Sequence, residues 1–117
     1  MTSRSKYNNR KITYNGETYD SVKEYRRHDE LKLLQKAGKI SGLERQKKFE
    51  LLPSQKDPKT KKTLLRGISY VADFVYQQDG KQVVEDVKGY RGGGAYAVFT
   101  IKKKLMLHFH GILIKEV

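Results

Sequence analysis

Two strand-like segments, 67–77 (GISYVADFVYQ) and 81–88 (KQVVEDVK), flank Asp79-Gly80, a dipeptide that tolerates the positive φ angles of a tight hairpin turn. Such a turn fixes the register of both strands. Gln78 falls opposite Lys81, and the same pairing sets Asp73 opposite Asp86. Side chains alternate across a strand, so Asp86 and Lys88 share one face and Glu85, read as structural, points to the other. Asp73 interrupts the apolar run 70–76, where an unpaired carboxylate is costly to bury.

Two carboxylates held side by side repel unless a cation lies between them. A divalent ion resolves the conflict, and Mg²⁺ suits it because that ion accepts carboxylates, carbonyl oxygens and waters, with the Val87 carbonyl as a third ligand. Lys88 then points at the same place, where its ammonium orients or deprotonates a water and offsets charge on a phosphate. Metal plus lysine suits phosphodiester hydrolysis. Lysine fills 18 of the 117 positions, so an Asp-x-Lys triplet alone carries little weight, and a structural ion pair of the same residues is the alternative.

The rest of the chain reads as one domain, 11–117, preceded by a polar, basic arm at 1–10. Lys11–Tyr14 and Glu17–Asp20 flank Asn15-Gly16, a second hairpin signal. Ser21-x-x-Glu24 has the form of a capping box opening a helix over 21–37, with Val22, Tyr25, Leu33 and Ala37, and Leu31 and Leu34 beside them, as its apolar side and Gly38 as its stop. A strand is expected over 44–52, ended by Pro53, and an exposed loop or disordered tip over 54–63. Gly89–Gly94 reads as a flexible connection. Val98, Ile101, Leu105 and Phe109 predict the buried stripe of a second helix over 95–109, and 111–117 a last strand. The order is that of a mixed α/β, α+β fold: a central mixed sheet, two flanking helices and an N-terminal hairpin.

Asp73, twelve residues, then Asp86-Val87-Lys88, with Glu24 on the preceding helix, resembles the PD-(D/E)XK nuclease superfamily, whose motif is an acid, a variable gap and acid-x-lysine across a hairpin. The segments TYNGETYDSVKEYRRHDELKLLQKAGKISGLERQKKFELLP, ISYVADFVY and VVEDVKGY are similar, more closely, to a group of small phage and prophage proteins of Holliday-junction-resolvase type. The resemblance implies a restriction-endonuclease-like core and Mg²⁺-dependent (or Mn²⁺-dependent) cleavage of DNA. It implies Asp73 and Asp86 as metal-binding acids, Lys88 as the catalytic lysine, and Glu24 as the helix-borne acid completing the site. The chain departs from the commoner pattern in carrying Asp86 where Glu is usual and in lacking a proline before Asp73. A capping role explains Glu24 equally well.

The partner class follows from charge: 25 Lys and Arg against 13 Asp and Glu give a formal +12, which favours a polyanion. Arg10, Lys11, Arg26, Arg27, Arg45, Lys47, Lys48, Arg91 and the run Lys102, Lys103, Lys104 are candidate phosphate contacts, and Gln46 a candidate polar group near the site. Nothing reads bases, so shape is favoured over sequence as the thing recognised. Branched DNA such as a four-way junction needs two coordinated cuts, which a two-fold homodimer supplies. A non-catalytic nucleic-acid-binding protein and a nuclease acting on ordinary duplex stay open as alternatives. The absence of Cys excludes thiol catalysis and zinc ribbons. His28, His108 and His110 read as surface or partly packed side chains. No apolar run approaches the ~20 residues that span a bilayer and no signal peptide opens the chain, which predicts a cytoplasmic protein without membrane partners.

Overall fold

The computed structural model describes residues 11–117; the expected arm at 1–10, Arg10 included, lies outside the described residues. The chain runs β1 (Ile12–Tyr14), β2 (Glu17–Tyr19), α1 (Val22–Lys36), β3 (Ser41–Leu52), β4 (Gln55–Lys56), β5 (Thr63–Leu65), β6 (Ile68–Gln78), β7 (Lys81–Asp86), α2 (Gly93–His110) and β8 (Lys115–Glu116). It is a mixed α+β fold. The central sheet has the order β3-β6-β7-β8, antiparallel except for the parallel β7–β8 pair. Among the described residues no helix is long and apolar enough to cross a membrane.

Both tight turns form as the sequence requires. Asn15 and Gly16 have φ of 53° and 78°, and Asp79 and Gly80 have 52° and 76°, the doubly positive pattern of a two-residue hairpin turn. The β6–β7 register is also the expected one, with Gln78 opposite Lys81 and pairing continuing to Phe74 opposite Glu85. Ser21 caps α1, its hydroxyl accepting the Glu24 N–H at 3.1 Å. Gly111, in the left-handed region, closes α2 with its N–H on the Leu107 carbonyl.

Five expectations need correction. Segment 54–63 is not a loose tip: β4 and β5 pair as a ribbon around Asp57, whose carboxylate accepts the Lys59 and Thr60 N–H groups at 2.8 and 3.0 Å. β3 begins at Ser41 instead of 44, and the final strand shrinks to two residues. Part of the apolar side assigned to α1 is outward, with Val22 and Leu33 46% and 67% exposed, while Leu31 from beside it is buried together with Glu24 and His28. The stripe assigned to α2 is likewise outward at Val98 and Ile101, and Phe99 and Met106 face the sheet. In both helices periodicity gave the spacing but not the phase, in α1 because the inward face carries polar groups and in α2 because apolar residues line the outward face as well.

Two cores result. Phe49, Leu51, Tyr70, Ala72, Val84 and Ile114 pack with Phe99 and Met106 of α2. Ile40, Phe74 and Tyr76 pack with Leu31 of α1. The small hairpin is held to α1 by aromatic contacts, Tyr14 to Tyr25 at 4.8 Å and Tyr19 to Tyr25 at 5.3 Å between ring centroids. His28, buried contrary to expectation, stacks on Phe74 at 5.5 Å and meets the Tyr19 hydroxyl at 2.7 Å.

Candidate active site

The site forms where the β3–β6 pair changes phase. Leu43 joins the core under α1, yet Phe49 and Leu51, of the same parity on β3, join the core under α2. On β6, Phe74 and Tyr76 face α1 while Tyr70 and Ala72 face α2. Regular alternation forbids both. The register is the same on either side, Arg45 opposite Phe74 and Lys47 opposite Ala72, so the phase changes between them, at Gln46 and Asp73. Gln46 has φ of 52°, a left-handed conformation that costs a non-glycine residue on the order of 1 kcal/mol.

That inversion aims Gln46 at the acids. Its amide Nε2 donates to Glu24 Oε1 at 3.2 Å and to Asp73 Oδ1 at 3.4 Å. Asp73 Oδ2 accepts the Val87 N–H at 2.7 Å, so Val87, expected to offer its carbonyl, meets the acid through its amide. Glu24 serves two ends at once: Oε2 accepts the Asp20 N–H at 3.2 Å, one residue before the cap, while Oε1 faces Gln46 and lies 3.9 Å from Arg45 Nη2. Oxygens of Asp20, Glu24 and Asp73 lie within 4.8 Å of one another. Three carboxylates at that separation, one exposed, one partly exposed and one buried, are a donor set suited to a hard divalent cation such as Mg²⁺ or Mn²⁺.

Electrostatics mark the same cluster. Burial pushes the Asp73 carboxyl up, and the neighbouring Asp86 and Glu24 charges add to it against the Val87 and Gln46 hydrogen bonds, bringing it to about 7. Glu24 is also raised, by burial first and by Asp20, with the Asp20 N–H and Arg45 opposing. Asp73 therefore holds its proton near neutrality and releases it when a cation arrives.

Asp86 and Lys88 are beside this group and bonded to each other. Asp86 is buried, with Oδ2 accepting the Tyr70 hydroxyl at 2.6 Å and Oδ1 2.8 Å from Lys88 Nζ. The Lys88 ammonium also lies 3.5 Å from the Phe99 ring centroid, over its π face. Glu85 takes the other face of β7, fully buried, bound through both oxygens by Arg27 at 2.8 and 2.6 Å and by the Tyr76 hydroxyl. Burial alone would raise Glu85, but Arg27 and Tyr76 outweigh it and keep the carboxylate charged.

The candidate phosphate contacts divide into two groups. Arg27, Arg45, Lys47, Arg91 and Lys103 are ion-paired to acids of the chain itself, and Arg45 lies over the Tyr19 ring at 4.1 Å. Lys11, Arg26, Lys48, Lys102 and Lys104 make no ion pair among the described residues. Sequence reasoning missed Asp20, whose only signal is its place one residue before the helix cap. It also missed Tyr70, which looks like any aromatic strand residue. Gln46 was named, but not its left-handed backbone.

No curated protein and no solved structure matches the chain. One family model does, described as "Protein of unknown function (DUF1064)", and it matches residues 4–114. With nearly the whole sequence matched, the chain belongs to the DUF1064 family.

Proposed function

We propose that this protein is a metal-dependent endonuclease of restriction-endonuclease-like type that hydrolyses DNA phosphodiester bonds, with branched DNA such as a four-way junction as its substrate and a homodimer as its working form. The observation that carries the reading is the meeting of Asp73, Glu24 and Asp20 oxygens within 4.8 Å beside the hairpin that bears Asp86 and Lys88. Asp73 and Glu24 would hold the cation, with Asp20 at the open side. A bound Mg²⁺ or Mn²⁺ supplies Lewis acidity toward a phosphoryl oxygen and lowers the pKa of a bound water.

The chain's own groups do the remainder. Asp86 holds Lys88 at the site's margin, 2.8 Å away, where the ammonium is placed to balance charge growing on a phosphate. Tyr70 orients Asp86 from behind. Arg27 and Glu85 tie α1 to β7 and so fix Glu24, one turn earlier on the helix, over Asp73.

One observation favours a second reading. Asp86 has both oxygens engaged, by Tyr70 and Lys88, as a purely structural ion pair would, and a non-catalytic nucleic-acid-binding protein needs no more than that. Cleavage of a labelled four-way junction and a matched duplex, with Mg²⁺ or Mn²⁺ against EDTA, separates the readings. Metal-dependent nicks that vanish in Asp73→Asn and fall at least a hundredfold in Asp86→Asn support the nuclease. Binding with no cleavage under any metal condition supports the second reading, and cutting of both substrates alike removes the junction preference.

A further inference from the structure

The densest unpaired charge among the described residues lies away from the site, on the β4–β5 ribbon. Lys56, Lys59, Lys61, Lys62 and Arg66 are all exposed, and no acid of the chain pairs with any of them among the described residues. The ribbon's one acid, Asp57, has its carboxylate on the turn's own N–H groups, so it neutralises none of the five. Those hydrogen bonds, with Asp57 N–H on the Lys62 carbonyl and Lys61 N–H on the Asp57 carbonyl, hold the cations on an ordered support. Like charges gathered on a fixed strand pair repel one another, and an external polyanion relieves that repulsion.

The ribbon continues the same two strands that carry the site. β3 passes Gln46, reaches Leu52 and leads into β4, and β5 leads back through Ile68 to Asp73. At about 3.3 Å per extended residue, the ribbon's base is at most roughly 20 Å from Gln46 along the chain and its turn at most roughly 40 Å. One turn of duplex DNA advances about 34 Å, so a backbone lying along β3 with one phosphate at the acids brings others, about a turn away, to the ribbon.

We infer that the β4–β5 ribbon is a phosphate-backbone arm that grips duplex nucleic acid about one helical turn from the Asp73 site. The inference rests on the nuclease reading only for the placement of one phosphate at the acids. Each backbone phosphate neutralised by a lysine displaces counterions, which makes affinity fall with salt by about 0.9 in log–log slope.

The test is fluorescence anisotropy of a labelled duplex against salt, in metal-free buffer, with two triple variants of equal charge change. One carries Lys56→Gln, Lys59→Gln and Lys62→Gln. The other carries Lys36→Gln, Lys39→Gln and Lys81→Gln, exposed positions at the opposite end of the sheet. The ribbon variant is expected to lose about 2–3 units of slope, with its thermal midpoint and its Mn²⁺ binding unchanged, while the control keeps the wild-type slope. Equal losses in both variants overturn the arm, because net charge then explains them. An unchanged ribbon variant also overturns it and turns attention to a protein partner on the exposed Leu64 and Leu65. If the wild type binds no duplex, the arm fails while the nuclease reading still rests on the junction assay, whereas an arm that passes in a protein that never cleaves stands without the nuclease.

Discussion

Replacing Asp73 by Asn should stabilise the metal-free protein at alkaline pH and leave it almost unchanged near pH 5. The folded-state pKa is about 7 against an ordinary 3.8, so the native state holds a proton more tightly than the unfolded chain does. Stability from this group is therefore fully present below about pH 4 and is lost as the pH rises to about 7. At about 1.36 kcal/mol per unit, the full loss is on the order of 4 kcal/mol. An Asn must itself be buried, which lowers the net gain at pH 8 to roughly 2–3 kcal/mol. For a chain of this length that is a rise of about 6–12 °C in Tm. The difference between variant and wild type should shrink by about 2–3 kcal/mol between pH 8 and pH 5. Thermal melts of both proteins at the two pH values, in EDTA, measure it directly. A variant that is less stable than wild type at pH 8, or a difference that does not change with pH, would refute the claim that Asp73 is held against its charge. Adding 10 mM Mg²⁺ at pH 8 should then stabilise the wild type, by about 1.4 kcal/mol if Kd is near 1 mM, and leave the Asn variant where it was.

Two further outcomes follow from the geometry. Gln46→Gly accepts the positive φ without strain and should keep the fold within about 1 kcal/mol, whereas Gln46→Val meets both the strain and the lost amide and should cost about 2–3 kcal/mol; urea unfolding of the pair checks the difference, and equal losses would deny the backbone its role. Glu85→Ala leaves the partly buried Arg27 without its bidentate partner and should cost about 3 kcal/mol or more, measured by the same unfolding curves, with a surface-like loss below 1 kcal/mol as the result that contradicts it.

Elements defined by local chemistry were legible in the sequence. Asn15-Gly16, Asp79-Gly80, Ser21 and the β6–β7 register all depend on a few adjacent residues, and each is where those residues direct it. Asp73 was likewise visible as an acid out of place and Glu24 through the capping box and the resemblance, and the two meet. What was not legible depends on contacts between distant segments. The inward face of α1 carries Glu24 and His28, which find their partners on β2 and β3, so hydrophobicity points to the wrong side of the helix. The alternation rule placed Asp86 and Asp73 on one face, but it presumes a regular strand, and the phase change opposite Gln46 moves Asp73 toward Asp20 and Glu24 instead. Segment 54–63 contains too few apolar residues to announce a strand; its ribbon is held by Asp57 and its backbone.

The phase change has a consequence for how the chain finds its pairing. In an ordinary antiparallel pair a slip of two residues returns every side chain to its own face, which makes such slips the cheapest errors of assembly. Here β3 and β6 each reverse their facing at one point, and the two points lie opposite each other. After a two-residue slip they would no longer coincide, and the pairs trapped between them would send apolar side chains to opposite sides of the sheet. The residue that brings the acids together thus acts as an index mark for the strand pair, accepting a single alignment and rejecting those displaced by one residue or by two.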